Sequence, residues 1–174
     1  SGFDTPEMQF RIPPSLITAV AGAGYDLGLL ANNHAGDAGS QGYITTREVI
    51  TENGMDYIGT RGAVADKRYL VKDVNGIKIG MVNYTYGQDT SANSLINRFS
   101  DSNLDLFYAD MEQQIADMEA DGAEAIVLYI HWGYEYFLTP NKYQTAVANK
   151  MREMGVDVII GGHPHKIQRL ELIT

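Results

Sequence analysis

Cysteine is absent from the 174 residues. Disulfides, thiolate nucleophiles and thiolate metal sites are excluded together, and His, Asp, Glu and Asn remain as the strong metal ligands of the chain. That absence leaves the compartment open. Cationic side chains are scarce, with 13 Lys and Arg against 22 Asp and Glu and a formal charge of -9. A surface of that sign repels DNA, RNA and anionic lipid at long range, so nucleic acid is not an expected partner unless bound metal reverses the local field. No apolar run comes near the ~20 residues of a membrane span. The opening residues Ser1-Gly2-Phe3-Asp4-Thr5-Pro6 carry neither the basic nor the apolar region of a signal peptide, although the chain could be a fragment of a secreted one.

Low-complexity tracts and Pro/Ser/Gly linkers are missing too, and a hydrophobic content of 44% suits one globular domain of ordinary size. What the chain does contain is a recurring unit: an amphipathic helix, a glycine, a polar step, then an apolar strand. Pro14 opens a helix with Leu16, Ile17, Val20 and Ala21 on one side, stopped at Gly24 before a strand over 26–30. A second helix over 41–53 runs to Gly54 and a short strand over 55–58. The clearest helix spans 104–120, with Leu104, Phe107, Met111, Ile115 and Met118 at spacings of three and four, and Gly122 precedes a strand over 125–130. Last, Thr139-Pro140 opens a helix with Tyr143, Val147, Met151 and Met154 inward, Gly155 ends it, and 156–160 form a strand. Between the second and third units, residues 69–74 and 77–84 around Asn75-Gly76 predict a hairpin with a type I′ turn, and hence a mixed sheet. Residues 87–103, rich in Ser, Asn and Asp, read as a long surface loop or lid.

Open α/β sheets bind ligands at the carboxyl ends of their strands, which makes the residues after each strand informative. Asn32-Asn33-His34 and Asp37 follow the first, His131-Trp132-Gly133 follow the third, and Gly161-Gly162-His163-Pro164-His165 follow the fourth. All 4 histidines of the chain fall in these stretches. In the last of them, two imidazoles at i and i+2 in a turn stiffened by Pro164 can point toward one cation or one substrate oxygen, although such a loop can also be only a turn. Convergence of all the histidines on one polar cleft explains the distribution better than separate strand caps.

Asn32-Asn33-His34 with Asp37, His131-Trp132-Gly133 with Glu135, and Gly162-His163-Pro164-His165 resemble the motifs of bacterial capsule-synthesis proteins of the CapA, or poly-gamma-glutamate capsule, type. That family is similar in fold to the calcineurin-like metallophosphoesterases, and the resemblance covers nearly the whole chain. It implies an α/β/β/α sandwich with mixed sheets and a metal centre at one edge. By position, Asn33, His131 and His163 would ligate one divalent ion and His165 would reach toward a second. His34 resembles the histidine that acts as an acid or charge stabiliser at the scissile bond, with Asp37 orienting it. Glu135 would be a ligand, a base or a loop carboxylate, and Asn32 and Trp132 would line the substrate or support the ligands. Neutral imidazole and amide oxygen suit Mn, Fe or Zn, and two such ions would activate water and clamp the leaving oxygen.

The departures are equally informative. The Asp-x-His and Gly-Asp elements with which phosphoesterases begin have no counterpart here, and neither have the Gly-Asp and Asn-Leu-Glu elements of the capsule type. The expectation is therefore one partial domain over 1–174, lacking its N-terminal part, with at most half a dinuclear site and inactive alone. Asn32 stands in place of a glycine and Ala35 in place of an acidic residue of the phosphoesterase pattern, which argues against ordinary phosphatase chemistry. The implied function is capsule biosynthesis at the bacterial cell surface in a membrane-anchored protein, by a metal-dependent hydrolase of a phosphoester or acyl/amide bond. The implied partner is an anionic capsule polymer or its precursor, alongside other assembly proteins. The alternative is a non-catalytic polymer-binding or assembly subunit, for which Trp132, Tyr134, Tyr136 and Phe137 would be the contact, although packing on the sheet is the plainer reading of these aromatics. Lys142, Lys166 and Arg169, and the acidic residues Asp105, Asp110, Glu112, Asp117 and Glu119, are taken as solvated surface. An edge strand left open by missing chain would invite a homodimer.

Overall fold

The computed structural model describes residues 10–87 and 95–172. The chain forms two compact units, a smaller one from residues 1–28 and 34–57 and a larger one from 29–33 and 58–174.

In the smaller unit, helix α1 (Pro14–Gly22) starts with Pro14 in the first turn, where the missing N–H has no intrahelical role. Ile17, Val20 and Ala21 are half-buried, whereas Leu16 is exposed. Strand β1 (Leu27–Leu29), helix α2 (Gly39–Glu52) and strand β2 (Asp56–Ile58) follow. β1 and β2 pair as a two-stranded sheet, and Asp56 N donates to Asp26 O at 2.8 Å. Tyr43 and Ile50 of α2 are buried, and the Arg47 guanidinium lies 5.9 Å and 5.7 Å from the ring centres of Tyr43 and Tyr57, within cation–π range.

The larger unit is built on a mixed sheet. Strands β3 (Tyr69–Val74) and β4 (Ile77–Tyr86) form the expected antiparallel hairpin. Asn75 at φ 55° and Gly76 at φ 90° supply the two left-handed residues that a type I′ turn needs. Strand β6 (Ala125–His131) runs parallel to β4, and β7 (Val158–Gly162) parallel to β6, in the order β3-β4-β6-β7. The short β5 (Arg98–Phe99) runs parallel to the last residues of β4.

Period-two alternation then decides what faces the core. Ile126, Leu128 and Ile130 are buried with Val82 and Tyr84 against Phe107, Met111 and Met118 of helix α3 (Leu104–Ala120) and Val147 and Met151 of helix α4 (Lys142–Glu153). Burying each of these side chains contributes about 1.5–3 kcal/mol. The same alternation turns Val127, Tyr129 and His131 to the other face of the sheet, where they are half-buried. β7 ends the order of described strands and leaves Val158 and Ile160 exposed.

Three expectations are corrected. Residues 95–103 are not a surface loop: Ile96, Asn97 and Phe99 are buried, Ile96 bridges Thr60, and a 3₁₀ turn over Asp101–Asn103 leads into α3. Residues 88–94 of that stretch lie outside the described residues. α4 does not open at Thr139-Pro140; Asn141 caps it, its side chain accepting from the Tyr143 and Gln144 backbones while the Gln144 side chain accepts from Asn141 N. That register buries Gln144 and leaves Tyr143 partly exposed, because the helix starts two residues later than the proline implied. Asp110 is not on a wet face either: it accepts the hydroxyl of buried Tyr84, and Arg68 Nη1 lies 3.3 Å away.

Candidate functional site

His131 is the last residue of β6, and its registered neighbour on β7 is Gly162. The two glycines before His163 belong to the strand rather than to the loop after it, and their task there is to admit side chains from β6. A Cβ on Gly162 would collide with the Tyr129 hydroxyl and lie 3.6 Å from His131 Nδ1, and one on Gly161 would sit 2.8 Å from Trp132 Nε1. After the glycines the backbone turns sharply, with His163 at φ 93° and His165 at φ 53°, and Tyr136 across from them at φ 66°. Non-glycine residues seldom adopt these angles, and clusters of them belong mostly to functional sites. Two backbone bonds hold the turn: Trp132 N to Gly162 O at 3.1 Å and Tyr136 N to Pro164 O at 2.7 Å.

Asn33 reaches the same place by a different route. Buried Asn83 accepts from Ala31 N at 2.7 Å and donates to Ala31 O at 3.3 Å and Tyr129 O at 3.2 Å, which fastens segment 29–33 over β4 and β6. Asn97, also buried, donates to Asn83 O at 3.1 Å and to Arg68 O at 3.1 Å, and its N–H reaches Gly59 O at 2.8 Å. Asn83 and Asn97 therefore bind three separated stretches of chain into one bed. On it, Asn33 Oδ1 lies 2.9 Å from His131 Nε2. An amide oxygen only accepts, so a hydrogen bond here requires the imidazole proton on Nε2, whereas joint ligation of a cation by these two atoms requires it on Nδ1.

The larger unit thus brings Asn33, His131 and His163 together, with the His131 and His163 ring centres 4.8 Å apart. His165 stands further out, 6.3 Å from His163 between ring centres, stacked on Tyr136 at 5.9 Å, with its Nε2 3.8 Å from Glu135 Oε1. Trp132 is buried and Asn32 is half-buried in the same segment as Asn33. Of the aromatic loop only Trp132 packs inward, whereas Tyr134, Tyr136 and Phe137 are 55%, 66% and 59% exposed. Lys166 and Arg169 are exposed, and Arg169 Nη2 pairs with Glu171 Oε2 at 2.8 Å.

His34 and Asp37 belong to the smaller unit. Asp37 Oδ2 lies 2.9 Å from His34 Nδ1 and accepts Phe10 N at 2.8 Å, and the Phe10 ring stands edge-on to the imidazole at 4.5 Å. The carboxylate and the phenyl ring therefore set the orientation of His34, with the Asp37 contact fixing Nδ1 as the proton-bearing nitrogen.

Two neutral imidazoles and an amide oxygen form a donor set that suits a borderline divalent cation. Among the described residues, no group of three or more His, Asp and Glu gathers to hold an ion. The donors fit part of a coordination shell, carry no charge to offset the cation, and need further ligands to complete it.

Asn83, Asn97 and Tyr129 were not singled out by the motif reading. One signal for Asn83 lay in the sequence: an amide inside the apolar run Met81-Val82-Asn83-Tyr84 must be buried and bonded, which marks a built joint.

The chain is similar in sequence to known proteins. The model of a family described as bacterial capsule synthesis protein PGA_cap matches residues 2–174, a stretch that includes both units. Over 160 residues the chain is 30% identical to the capsule biosynthesis protein CapA of Bacillus anthracis, covering 90% of the chain and 38% of that protein. Over 146 residues it is 30% identical to the PGA biosynthesis protein CapA of Bacillus subtilis (strain 168), covering 82% of the chain and 37% of that protein. The chain thus spans less than two-fifths of the length of these relatives.

Proposed function

Because the chain belongs to the bacterial capsule synthesis protein family PGA_cap, we propose that the whole protein works in capsule formation at the cell envelope through a metal-dependent, hydrolase-like centre to which Asn33, His131 and His163 contribute. The observation that carries this reading is the convergence of the Asn33 amide oxygen and the two imidazoles at the ends of β6 and β7, on a turn held in left-handed backbone angles. A divalent ion held there, Mn, Fe or Zn by the softness of its donors, would supply Lewis-acid stabilisation of a phosphoester or acyl/amide bond of an envelope polymer or its precursor. His165 and Glu135 stand where a second ion or the substrate would be met. The part of the chain itself is to hold these donors in place through Asn83 and to shield their inner side with Trp132. The resemblance assigns His34 the role of a proton donor, and the 2.9 Å contact with Asp37 inside the smaller unit would orient it. Among the described residues no helix is long and apolar enough to cross a membrane.

The test uses the full-length protein in a capsule-forming host. His131→Ala and His163→Ala are expected to cut polymer formed per unit of protein at least about tenfold with protein level unchanged. Polymer at the parental level in both variants would remove the reading.

A second reading rests on the exposure of Tyr134, Tyr136 and Phe137, which present aromatic faces to solvent beside the histidines. Here the protein is a polymer-binding or assembly subunit that keeps the fold. Polymer binding that survives His34→Ala and is lost when the three aromatics are replaced would favour it, and the opposite pattern would exclude it.

A further inference from the structure

A second concavity lies on the helix side of the sheet, at the same carboxyl end of the strands. It is a cavity of about 70 Å³ walled by Tyr86, Phe99, Trp132, Tyr134 and Tyr143, with Asp101 as its acidic group. Tyr86 stands edge-on to Phe99 at 5.5 Å between ring centres. Burial, then a hydrogen bond to Asp101 and the charge of that carboxylate, raise the Tyr86 phenol above its ordinary value. The Asp101 carboxylate is thereby held against the aromatic wall. Two other polar side chains of the lining are committed elsewhere: the Asn141 oxygen caps α4, and Gln144 bonds Asn141 N and Gln168. No Lys, Arg or His is among the described lining residues. The Lys142 ammonium lies 5.1 Å from the Tyr143 ring centre, so one face of this rim ring already attracts a cation.

Aromatic faces carry negative potential, and a carboxylate among them adds a full charge, so the box disfavours anions and favours an ammonium group with apolar neighbours. We propose that this box, formed by Tyr86, Phe99, Trp132, Tyr134 and Tyr143 around Asp101, is a binding site for a small organic ammonium ion or for the amino end of a larger ligand. It shares Trp132 with the surroundings of the histidine cluster and does not depend on the metal reading.

Trp132 is the only tryptophan, so its fluorescence reports occupancy directly. The probes are choline, its neutral isostere 3,3-dimethyl-1-butanol, and n-butylammonium, titrated into the full chain with parallel amide NMR shifts. Saturable binding of choline, n-butylammonium or both is expected, with the neutral alcohol weaker by about tenfold or more. The cation that binds tells a methylated from a primary amine source. Asp101→Asn and Tyr134→Ala, both at exposed positions, are each expected to weaken binding at least about fivefold without lowering Tm. The proposal is overturned if neither cation saturates, if the alcohol binds as well as the cations, or if Asp101→Asn binds like the parent.

Discussion

Asn83→Ala is the perturbation through which the fold and the candidate site should fail together. Asn83 is fully buried on β4 and makes two bonds to segment 29–33, one accepted from Ala31 N at 2.7 Å and one donated to Ala31 O at 3.3 Å, and a third donated to Tyr129 O of β6 at 3.2 Å. Alanine strands the Ala31 N–H beside a side chain that is 1% exposed, where an unsatisfied donor costs about 1–3 kcal/mol. Two carbonyls lose a partner as well, at about 0.5–1 kcal/mol each once weak geometry is allowed for. The sum is about 3 kcal/mol, which for a chain of this size lowers Tm by about 6–12 °C. Segment 29–33 also carries Asn33, so its 2.9 Å contact with His131 should loosen at the same time. Thermal melts by circular dichroism read the first effect, and long-range nitrogen–proton NMR of the His131 ring reads the second. Asn83→Asp separates the two halves of the joint: it keeps an acceptor for Ala31 N but turns an oxygen toward two carbonyls, and should cost at least as much as alanine. An Asn83→Ala protein melting within about 2 °C of the parent, with the His131 ring unchanged, would refute the reasoning.

Gly162→Ala should affect the site more than the fold, because its Cβ meets the Tyr129 hydroxyl and comes within 3.6 Å of His131 Nδ1; displaced His131 ring resonances at nearly unchanged Tm are expected. Tyr84→Phe removes the buried hydroxyl that donates to Asp110, whose phenol burial holds well above its ordinary range, and a loss of about 1–2 kcal/mol in urea denaturation is expected. On the surface, Lys67 Nζ lies 2.5 Å from Asp121 Oδ2, and hydrogen bonds from Lys67 and then Tyr69 hold the Asp121 carboxyl below its ordinary value. A depressed carboxylate contributes stability above its unfolded pKa and loses it as pH falls through the folded one. Asp121→Asn should therefore melt slightly lower than the parent at neutral pH and converge with it in acid; a constant difference down to about pH 2 would contradict the linkage.

Much of this arrangement was legible because it is local. Asn75-Gly76 names its own turn, glycines end the helices at Gly24, Gly54, Gly122 and Gly155, and each helix is followed by its strand. The three stretches bearing His34, His131 and the His163-Pro164-His165 turn were found from sequence, and the structure brings His131, His163 and Asn33 into contact range within the larger unit. What escaped notice depends on distant partners. Residues 95–103 look like a loop because Ile96 and Phe99 stand among polar neighbours, yet Asn97 is drawn inward by carbonyls of Arg68 and Asn83 that no local pattern reveals. Asp110 has the spacing of a wet helical position, but Tyr84 and Arg68 arrive from distant parts of the chain to engage its carboxylate. The start of α4 was within reach, since Asn141 and Gln144 have the spacing of a capping box, and Pro140 drew the boundary too early.

The central claim is that Asn33, His131 and His163 form part of a divalent metal site. Its most direct test is elemental analysis of this 174-residue chain after exposure to Mn²⁺, Fe²⁺ and Zn²⁺ and removal of the excess. The account predicts about one equivalent of a borderline ion, lost in the His131→Ala, His163→Ala double variant. Equal metal in the parent and the double variant would contradict it, and so would no metal in either this chain or the full-length protein.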